Sequence, residues 1–157
     1  MSEFTLRWLP DKRMYRELRR IAKSWPQHQQ ESMDNLGLIL YETWSAVQRW
    51  QPFPSVCVLS CNDECVGVLC GFLWPRQGAF RIQHIVIAQP SRHDREQYRE
   101  IQHKLVEAAI DFSQENGYHG WVSCAPEEKD APMWTKLGFR LDVDGLTYRR
   151  MGYFAGL

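Results

Sequence analysis

The feature that most constrains the fold is an alternation of strand and helix signals between residues 80 and 139. An apolar run at 82–88 predicts a buried strand, and a long helix with apolar residues at heptad-like spacing follows it up to Gly117. A second strand is predicted at 121–125, before a short helix that ends at Gly138. Strands that alternate with helices in this way indicate a sheet with helices packed against it.

The N-terminal part of the chain predicts one strand and two helices. Apolar and polar residues alternate at 3–9, which indicates a strand, and a helix with a basic outer face opens at Pro10. A second helix is predicted from about residue 33 to residue 48. The apolar stripes of these helices are Met14, Leu18, Ile21 and Trp25 in the first, and Met33, Leu36, Leu40, Trp44 and Val47 in the second.

The rest of the chain predicts further strands, at 55–60, 65–74 and 79–88. The first two are joined by a hairpin-length connection at 61–64, and Asp144-Gly145 is a strong signal for a terminal hairpin. We therefore predict a single α/β (α+β) domain over residues 1–157, with a central mixed twisted sheet of about seven strands and helices on both faces. Within this domain, residues 1–50 would form the N-terminal strand and two helices, residues 51–125 the central sheet with the long helix, and residues 126–157 the short helix with the terminal hairpin.

Composition and charge limit the partners and the compartment. The net charge is zero, so a general attraction to nucleic acid or membranes is not expected. The sequence has no apolar run of about eighteen residues and no signal-peptide pattern, which predicts a cytoplasmic protein without membrane contact. The five cysteines fit small buried hydrophobic residues in a reducing compartment better than a disulfide framework, and no ligand cluster predicts a metal site.

The short helix near the C-terminus ends in Lys136-Leu137-Gly138-Phe139, and this ending, with the order of the elements, resembles the GNAT superfamily of N-acetyltransferases. The resemblance covers nearly the whole chain and is most specific at this ending. It implies acetyl transfer from acetyl-CoA, the expected cofactor, to an amine acceptor. One departure concerns the phosphate loop, because no glycine occurs between Gly78 and Gly117, where the family has glycines that let the backbone approach a pyrophosphate.

The resemblance also implies which residues would hold acetyl-CoA. The backbone of Val86 and Ala88 would pair with the pantetheine arm, since the strand ends in a Val-x-Pro-like sequence at Pro90. In place of the missing glycines, three arginine side chains are the predicted phosphate ligands: Arg92, Arg95 and Arg99. The alternative is a solvated helix start, in which Asp94 and Glu96 complement the helix dipole.

Candidate catalytic residues lie on the two strands of the acetyl-CoA half. His84 is the candidate base, in the middle of the strand that would face the acetyl group, and Ser123 on the neighbouring strand would offer a polar group to the substrate. A tyrosine that often acts as the acid in the family is replaced by Trp134, whose indole N–H can only donate. Cys124 has no adjacent base, so a buried cysteine is expected there rather than a nucleophile.

Two functional interpretations remain open at this point. One is an acetyl-CoA-dependent N-acetyltransferase, which the family's usual activity favours slightly. The other is a catalytically degenerate GNAT-fold protein with a structural or binding role, for example as a phage virion-associated or regulatory component.

The acceptor side would be formed by the N-terminal helices and the hairpin at 140–151, and four tryptophans could line an aromatic pocket there: Trp25, Trp44, Trp50 and Trp74. This number of tryptophans is also compatible with a protein partner, a homo-oligomer or a larger assembly. The first helix has a basic outer face with Arg13, Arg16, Arg19, Arg20 and Lys23. Because an isolated charge run is usually a solvated face, a nucleic-acid partner is not expected.

Overall fold

A computed structural model describes residues 3–24, 36–41, 43–45, 54–88, 95–125, 131–141 and 148–150. Within these residues the strands are β1 (Phe4–Trp8), β2 (Ser55–Cys61), β3 (Glu64–Trp74), β4 (Ala79–Ile87), β5 (Val122–Cys124), β6 (Arg140–Leu141) and β7 (Tyr148–Arg150). The helices are α1 (Met14–Ser24, after a 3-10 turn at Asp11–Arg13), α2 (helical at 36–41 and 43–45), α3 (Arg95–Glu115) and α4 (Ala131–Lys136).

The strands form one mixed sheet. Among the described residues it has seven strands in the order β1-β2-β3-β4-β5-β7-β6. β4 and β5 are parallel, whereas β1 is antiparallel to β2, and β7 is antiparallel to both β5 and β6. The predicted α/β fold with a mixed sheet is therefore confirmed, while the hairpin turn expected at Asp144-Gly145 lies outside the described residues.

Packing within the chain forms two compact units. The first consists of Met1–Cys70 with His84–Leu105, and the second of Gly71–Gln83 with Val106–Leu157. The single domain expected over residues 1–157 stays a prediction. In the described part of the chain, no helix is both long enough and apolar enough to cross a lipid bilayer.

In the first unit, helices cover both faces of the sheet. α1 and α2 bury apolar side chains against β2, β3 and β4, and this core contains Leu9, Met14, Leu18, Leu36, Ile39, Val56, Val58, Val68, Cys70, Val86 and Ala88. The first half of α3 lies on the opposite face of β3. A methyl group added at Gly67 would lie 3.0 Å from Leu105 Cδ1 and 3.1 Å from Ile101 Cγ2. The alternation of side chains along β3 thus separates the α1–α2 face from the α3 face.

The buried stripe of α2 differs from the predicted one. Leu36 is fully buried as expected, but Trp44 is 48% exposed, so its placement in the apolar stripe was wrong. Ile39 and Thr43 are fully buried instead, which gives buried positions at i, i+3 and i+7 on one helical face. In α1, Met14 and Leu18 are fully buried as predicted. Three further residues of the two predicted stripes lie outside the described residues: Trp25 of the first helix, and Met33 and Val47 of the second.

In the second unit, β4 and β5 pair closely over a short register. Phe80, Arg81 and Ile82 lie opposite residues 122–124. Phe80 is fully buried and packs edge-on against Phe112 of α3, with ring centroids 5.3 Å apart. Gly71 of β3 lies so close to β4 that an added methyl group would overlap the carbonyl oxygen of Arg81 and lie 2.7 Å from the Phe80 ring.

Gly117 ends α3 as the sequence predicts. It adopts a φ of 87°, a left-handed conformation that favours glycine. Its N–H donates to the carbonyl of Gln114 at 3.2 Å, and the N–H of Tyr118 donates to the carbonyl of Ser113 at 2.9 Å. This pair of bonds is a Schellman motif, which satisfies carbonyls that have no partner within the helix. The buried Ser113 hydroxyl also donates to the carbonyl of Trp121 at 2.7 Å and so fixes the chain that enters β5.

An ion pair joins β1 to α1 in the first unit. The Arg7 guanidinium donates through Nη1 to Glu17 Oε1 at 3.0 Å and through Nη2 to Oε2 at 2.6 Å. Glu17 is only 9% exposed. The hydrogen bond from Arg7 is the main cause that lowers the pKa of Glu17, and it outweighs the opposing effect of burial.

Substitution Arg7→Met is expected to lower the free energy of unfolding at pH 7 by about 1 kcal/mol, because the nearly buried carboxylate loses its partner while exposure of Arg7 limits the effect. Because the folded-state pKa of Glu17 is below the unfolded value, this stabilisation is present above the unfolded pKa and is lost as the pH falls through the folded one. Urea unfolding at pH 7 and near pH 3 checks this, with the exposed Arg76→Met as control. A difference of the same size at both pH values would contradict it.

Candidate functional site

The C-terminal end of β4 places three of the predicted site residues. His84 is half-buried, Val86 is 2% exposed and Ala88 is 5% exposed. The N–H of Ala88 donates to the carbonyl of Val66 in β3 at 2.8 Å. This donor thus already has a partner within the sheet, which sequence reasoning did not anticipate because it assumed an unpaired strand edge at this residue.

The predicted phosphate ligands follow β4. Arg95 is the first residue of α3, and Arg99 lies one turn later with an exposed side chain that forms no ion pair with a described residue. Glu96 is exposed in the first turn, where a negative charge complements the helix dipole. Arg92 and Asp94 lie outside the described residues. The structure therefore brings Arg95 and Arg99 onto one helix start.

In the second unit, Ser123 has a partner inside the protein. It is fully buried in β5, and its hydroxyl donates to Oε1 of Gln77 at 2.9 Å. Gln77 lies in the turn between β3 and β4, so the bond ties this turn to β5. A buried hydroxyl needs such a partner, and the bond satisfies it.

A cluster of half-buried aromatic and basic side chains lies in the same unit. The Arg81 guanidinium stacks on Trp74, with Cζ 4.8 Å from the ring centroid, and the rings of Phe72 and Trp74 are 5.6 Å apart. Of the four tryptophans expected at an acceptor pocket, Trp74 thus pairs with the Arg81 cation, and Trp44 is exposed on α2. The other two, Trp25 and Trp50, lie outside the described residues. Sequence reasoning missed Arg81, although strand alternation places it on the face of β4 opposite to Phe80.

Cys124 does not have the properties of a nucleophile. It is 2% exposed, and burial raises the pKa of its thiol to about 12, although the nearby Arg81 charge opposes the shift. A thiol with this pKa stays protonated at neutral pH, and the thiolate is the reactive form. The expected buried position of this cysteine is confirmed.

Trp134 serves the packing of α4. It is 7% exposed, and its ring meets Phe139 edge-on with centroids 5.0 Å apart. Gly138 has a φ of 96°, its N–H donates to the carbonyl of Thr135 at 3.0 Å, and the N–H of Phe139 donates to the carbonyl of Trp134 at 3.0 Å. The Leu-Gly-Phe sequence is thus a second Schellman helix end with its usual apolar contact across the last turn.

No protein-family model and no curated protein matches the sequence. The structure, however, is similar to solved structures over almost its whole length. A GNAT-family protein from Desulfovibrio desulfuricans matches with a TM-score of 0.59 and 16% identity, over 96% of this chain and 99% of that chain.

Two further structures match to a similar degree. AtaTR bound with acetyl-CoA has a TM-score of 0.59 and 15% identity, over 95% of this chain and 93% of that chain. RimL, a ribosomal L7/L12 alpha-N-protein acetyltransferase in complex with coenzyme A, has a TM-score of 0.56 and 14% identity, over 95% and 94%. With the parallel β4–β5 pair and the helix that follows β4, these matches show that the chain has the fold of the GNAT superfamily.

Proposed function

We propose that this protein is an N-acetyltransferase that moves an acetyl group from acetyl-CoA to an amine acceptor. The observation that carries the proposal is the match to GNAT-family structures over 95% or more of the chain. Two of those similar structures contain acetyl-CoA or coenzyme A. We place the protein in the cytoplasm, as its sequence predicts.

The start of α3 is the diphosphate site that this proposal requires. The first N–H groups of a helix have no partner within the helix, and together with the dipole they favour an anion. Arg95 and Arg99 are separated by one helical turn, and guanidinium groups bind phosphate through paired donors. We assign the diphosphate to these two residues and to Arg92, and the pantetheine arm to the stretch of β4 at Val86 and Ala88. At Ala88 the N–H is already bonded to Val66, so the strand would offer other backbone groups.

When bound, acetyl-CoA supplies an activated acetyl thioester. His84 would accept the proton that an amine must lose before it can attack a carbonyl carbon. Ser123 would act as a positioning residue, because its bond to Gln77 holds the turn that leads into β4. The high pKa of the Cys124 thiol favours direct transfer to the amine over an acyl-cysteine intermediate.

The second candidate function is a GNAT-fold protein without transfer chemistry, which binds a protein partner or serves as a structural component, for example in a phage virion. Its support is Trp134, which occupies the position of the family's acid, cannot release a proton near neutral pH, and packs on Phe139. The lack of any glycine between Gly78 and Gly117 supports it as well. One similar structure, a mutant of the AtaT toxin, is bound to the C-terminus of the antitoxin AtaR, which is a precedent for a protein partner.

Calorimetric titration with acetyl-CoA separates the two functions. We expect micromolar binding to the native protein and a loss of at least about tenfold in the double variant Arg95→Ala, Arg99→Ala, since each charged hydrogen bond contributes about 1.5–3 kcal/mol. Arg76→Ala, an exposed arginine in the β3–β4 turn, is the matched control. Binding that remains unchanged in the double variant would contradict the arginine site.

Acetylation of a panel of amines by the same proteins then tests the chemistry. His84→Ala is expected to reduce the rate about a hundredfold while acetyl-CoA still binds. Binding without any transfer would favour the second candidate function, and no binding at millimolar acetyl-CoA would contradict the proposed enzyme.

A further inference from the structure

The outer surface of α1 and its preceding turn carries a basic stripe, which consists of Lys12, Arg13, Arg16, Arg19, Arg20 and Lys23. All six side chains are exposed. At 3.6 residues per turn they fall within about 120° of the helix surface and extend over roughly 16 Å. Met14 and Leu18, on the opposite side of the helix, are fully buried.

Among the described residues of the helix, acidic side chains offset the basic stripe only in part. Glu17, the acid within α1, is nearly buried and is held by both nitrogens of Arg7, while the charges of Arg13 and Arg20 act on it more weakly. Asp11 lies at the far N-terminal end, and none of the six cations forms an ion pair with a described residue. The chain as a whole is neutral, with 19 basic and 19 acidic residues, so removing the six cations of the stripe leaves a remainder that is net acidic.

The arrangement weakens the helix that carries it. Arg16 has like-charged neighbours three or four residues away on both sides: Lys12, Arg13, Arg19 and Arg20. Like charges at these spacings destabilise a helix, whereas an ordinary solvated face usually mixes the two signs. A surface that opposes the stability of its own helix indicates a role outside folding.

We propose that the basic stripe binds the phosphate backbone of a structured RNA. Four of its six residues are arginines, whose planar guanidinium groups pair with phosphate through two donors. The stripe has no apolar centre and includes lysines, whereas protein–protein interfaces have apolar centres and are depleted in lysine. Nucleic-acid interfaces are more polar and more positive, which matches this surface.

Tyr15 favours RNA over duplex DNA. It borders the stripe with 37% of its surface exposed, and the Arg19 guanidinium lies 5.8 Å from its ring centroid. Unpaired bases of RNA loops stack on aromatic rings and guanidinium planes of this kind, whereas the bases of a DNA duplex are stacked on each other. This inference goes beyond acetyl transfer and does not depend on it.

Fluorescence anisotropy with a labelled RNA hairpin that has an unpaired loop tests the proposal on the full native chain. Each phosphate contact adds about 0.7–0.9 to the salt slope, so six cations predict a slope of about 4 or more between log Kd and log salt. Arg16→Glu is expected to weaken binding at least about tenfold near 0.1 M salt, because it removes one contact and repels its neighbours.

The same variant separates binding from folding. Arg16→Glu replaces four repulsive helical neighbours by attractive ones, so its melting temperature should rise while its affinity falls. The matched control is Arg76→Glu in the β3–β4 turn, which changes the net charge equally but is not part of the basic stripe, and it should leave the affinity within about twofold.

Several outcomes would overturn the proposal. No binding at about 50 mM salt, or equal losses in Arg16→Glu and Arg76→Glu, would remove the stripe as the site. Equal or tighter binding of polyglutamate of matched charge would identify an acidic protein as the partner instead, and equal binding of a DNA duplex would remove the preference for RNA.

Discussion

Gly71→Ala is expected to lower the free energy of unfolding by about 3 kcal/mol or more, because overpacking a rigid site forces the backbone to move. The added methyl group would overlap the carbonyl oxygen of Arg81, and the Phe80 ring would lie 2.7 Å away. The carbonyl belongs to the sheet and the ring is fully buried, so neither can turn aside. Urea unfolding monitored by tryptophan fluorescence and by circular dichroism measures the loss.

Two glycines provide the matched controls. Gly37 of α2 has nothing within 4 Å of an added methyl group, so Gly37→Ala should stabilise the protein by about 0.5–1 kcal/mol through helix propensity. The effect of Gly67→Ala on the free energy of unfolding should lie between those of Gly71→Ala and Gly37→Ala. Its methyl group would meet the ends of the Leu105 and Ile101 side chains at 3.0 and 3.1 Å, and side-chain ends can shift more easily than backbone. Equal effects at Gly71 and Gly37 would contradict the close approach of β3 and β4.

Phe139→Ala is expected to lower the free energy of unfolding by about 3–5 kcal/mol, as for other phenylalanines removed from a packed core. Phe139 is fully buried, and it supplies the apolar contact that accompanies the Schellman end of α4 through Trp134. Truncation therefore leaves a cavity and also removes half of the contact that ends the helix. Thermal and urea unfolding of the purified variant measure the effect.

Leu141→Ala is the control for this second prediction. Leu141 lies two residues further along in β6 and is 55% exposed, so Leu141→Ala should change the free energy of unfolding by no more than about 0.5 kcal/mol. If Phe139→Ala were as mild as Leu141→Ala, the aromatic pair would not hold α4 in place. In that case the most specific part of the resemblance to GNAT proteins would need an explanation other than helix termination.

Local signals that depend on one or two residues were the most predictable from the sequence. Gly117 and Gly138 end helices with a φ of 87° and 96°, because a side chain at these positions would be strained. Asn62 and Asp63 adopt a φ of 51° and 67° in the predicted connection between β2 and β3, which is the backbone of a two-residue hairpin turn. At these positions the residue type itself favours the left-handed backbone, so the prediction of a turn or a helix end does not depend on packing against other elements.

Features that depend on tertiary packing were less predictable. α2 has apolar residues on more than one face, so periodicity alone could not decide that Ile39 faces the core and Trp44 the solvent. The stacking of Arg81 on Trp74 likewise follows from the pairing of strands rather than from spacing in the sequence.

Two buried thiols make the stability of each compact unit separately measurable. Cys57 lies in the first unit and Cys124 in the second, and burial raises the pKa of both to about 12. Neither can react with an alkylating reagent until its surroundings open, since reaction requires an accessible thiolate. The two alkylation rates therefore measure local opening, and their comparison shows which unit opens more readily without any engineered label.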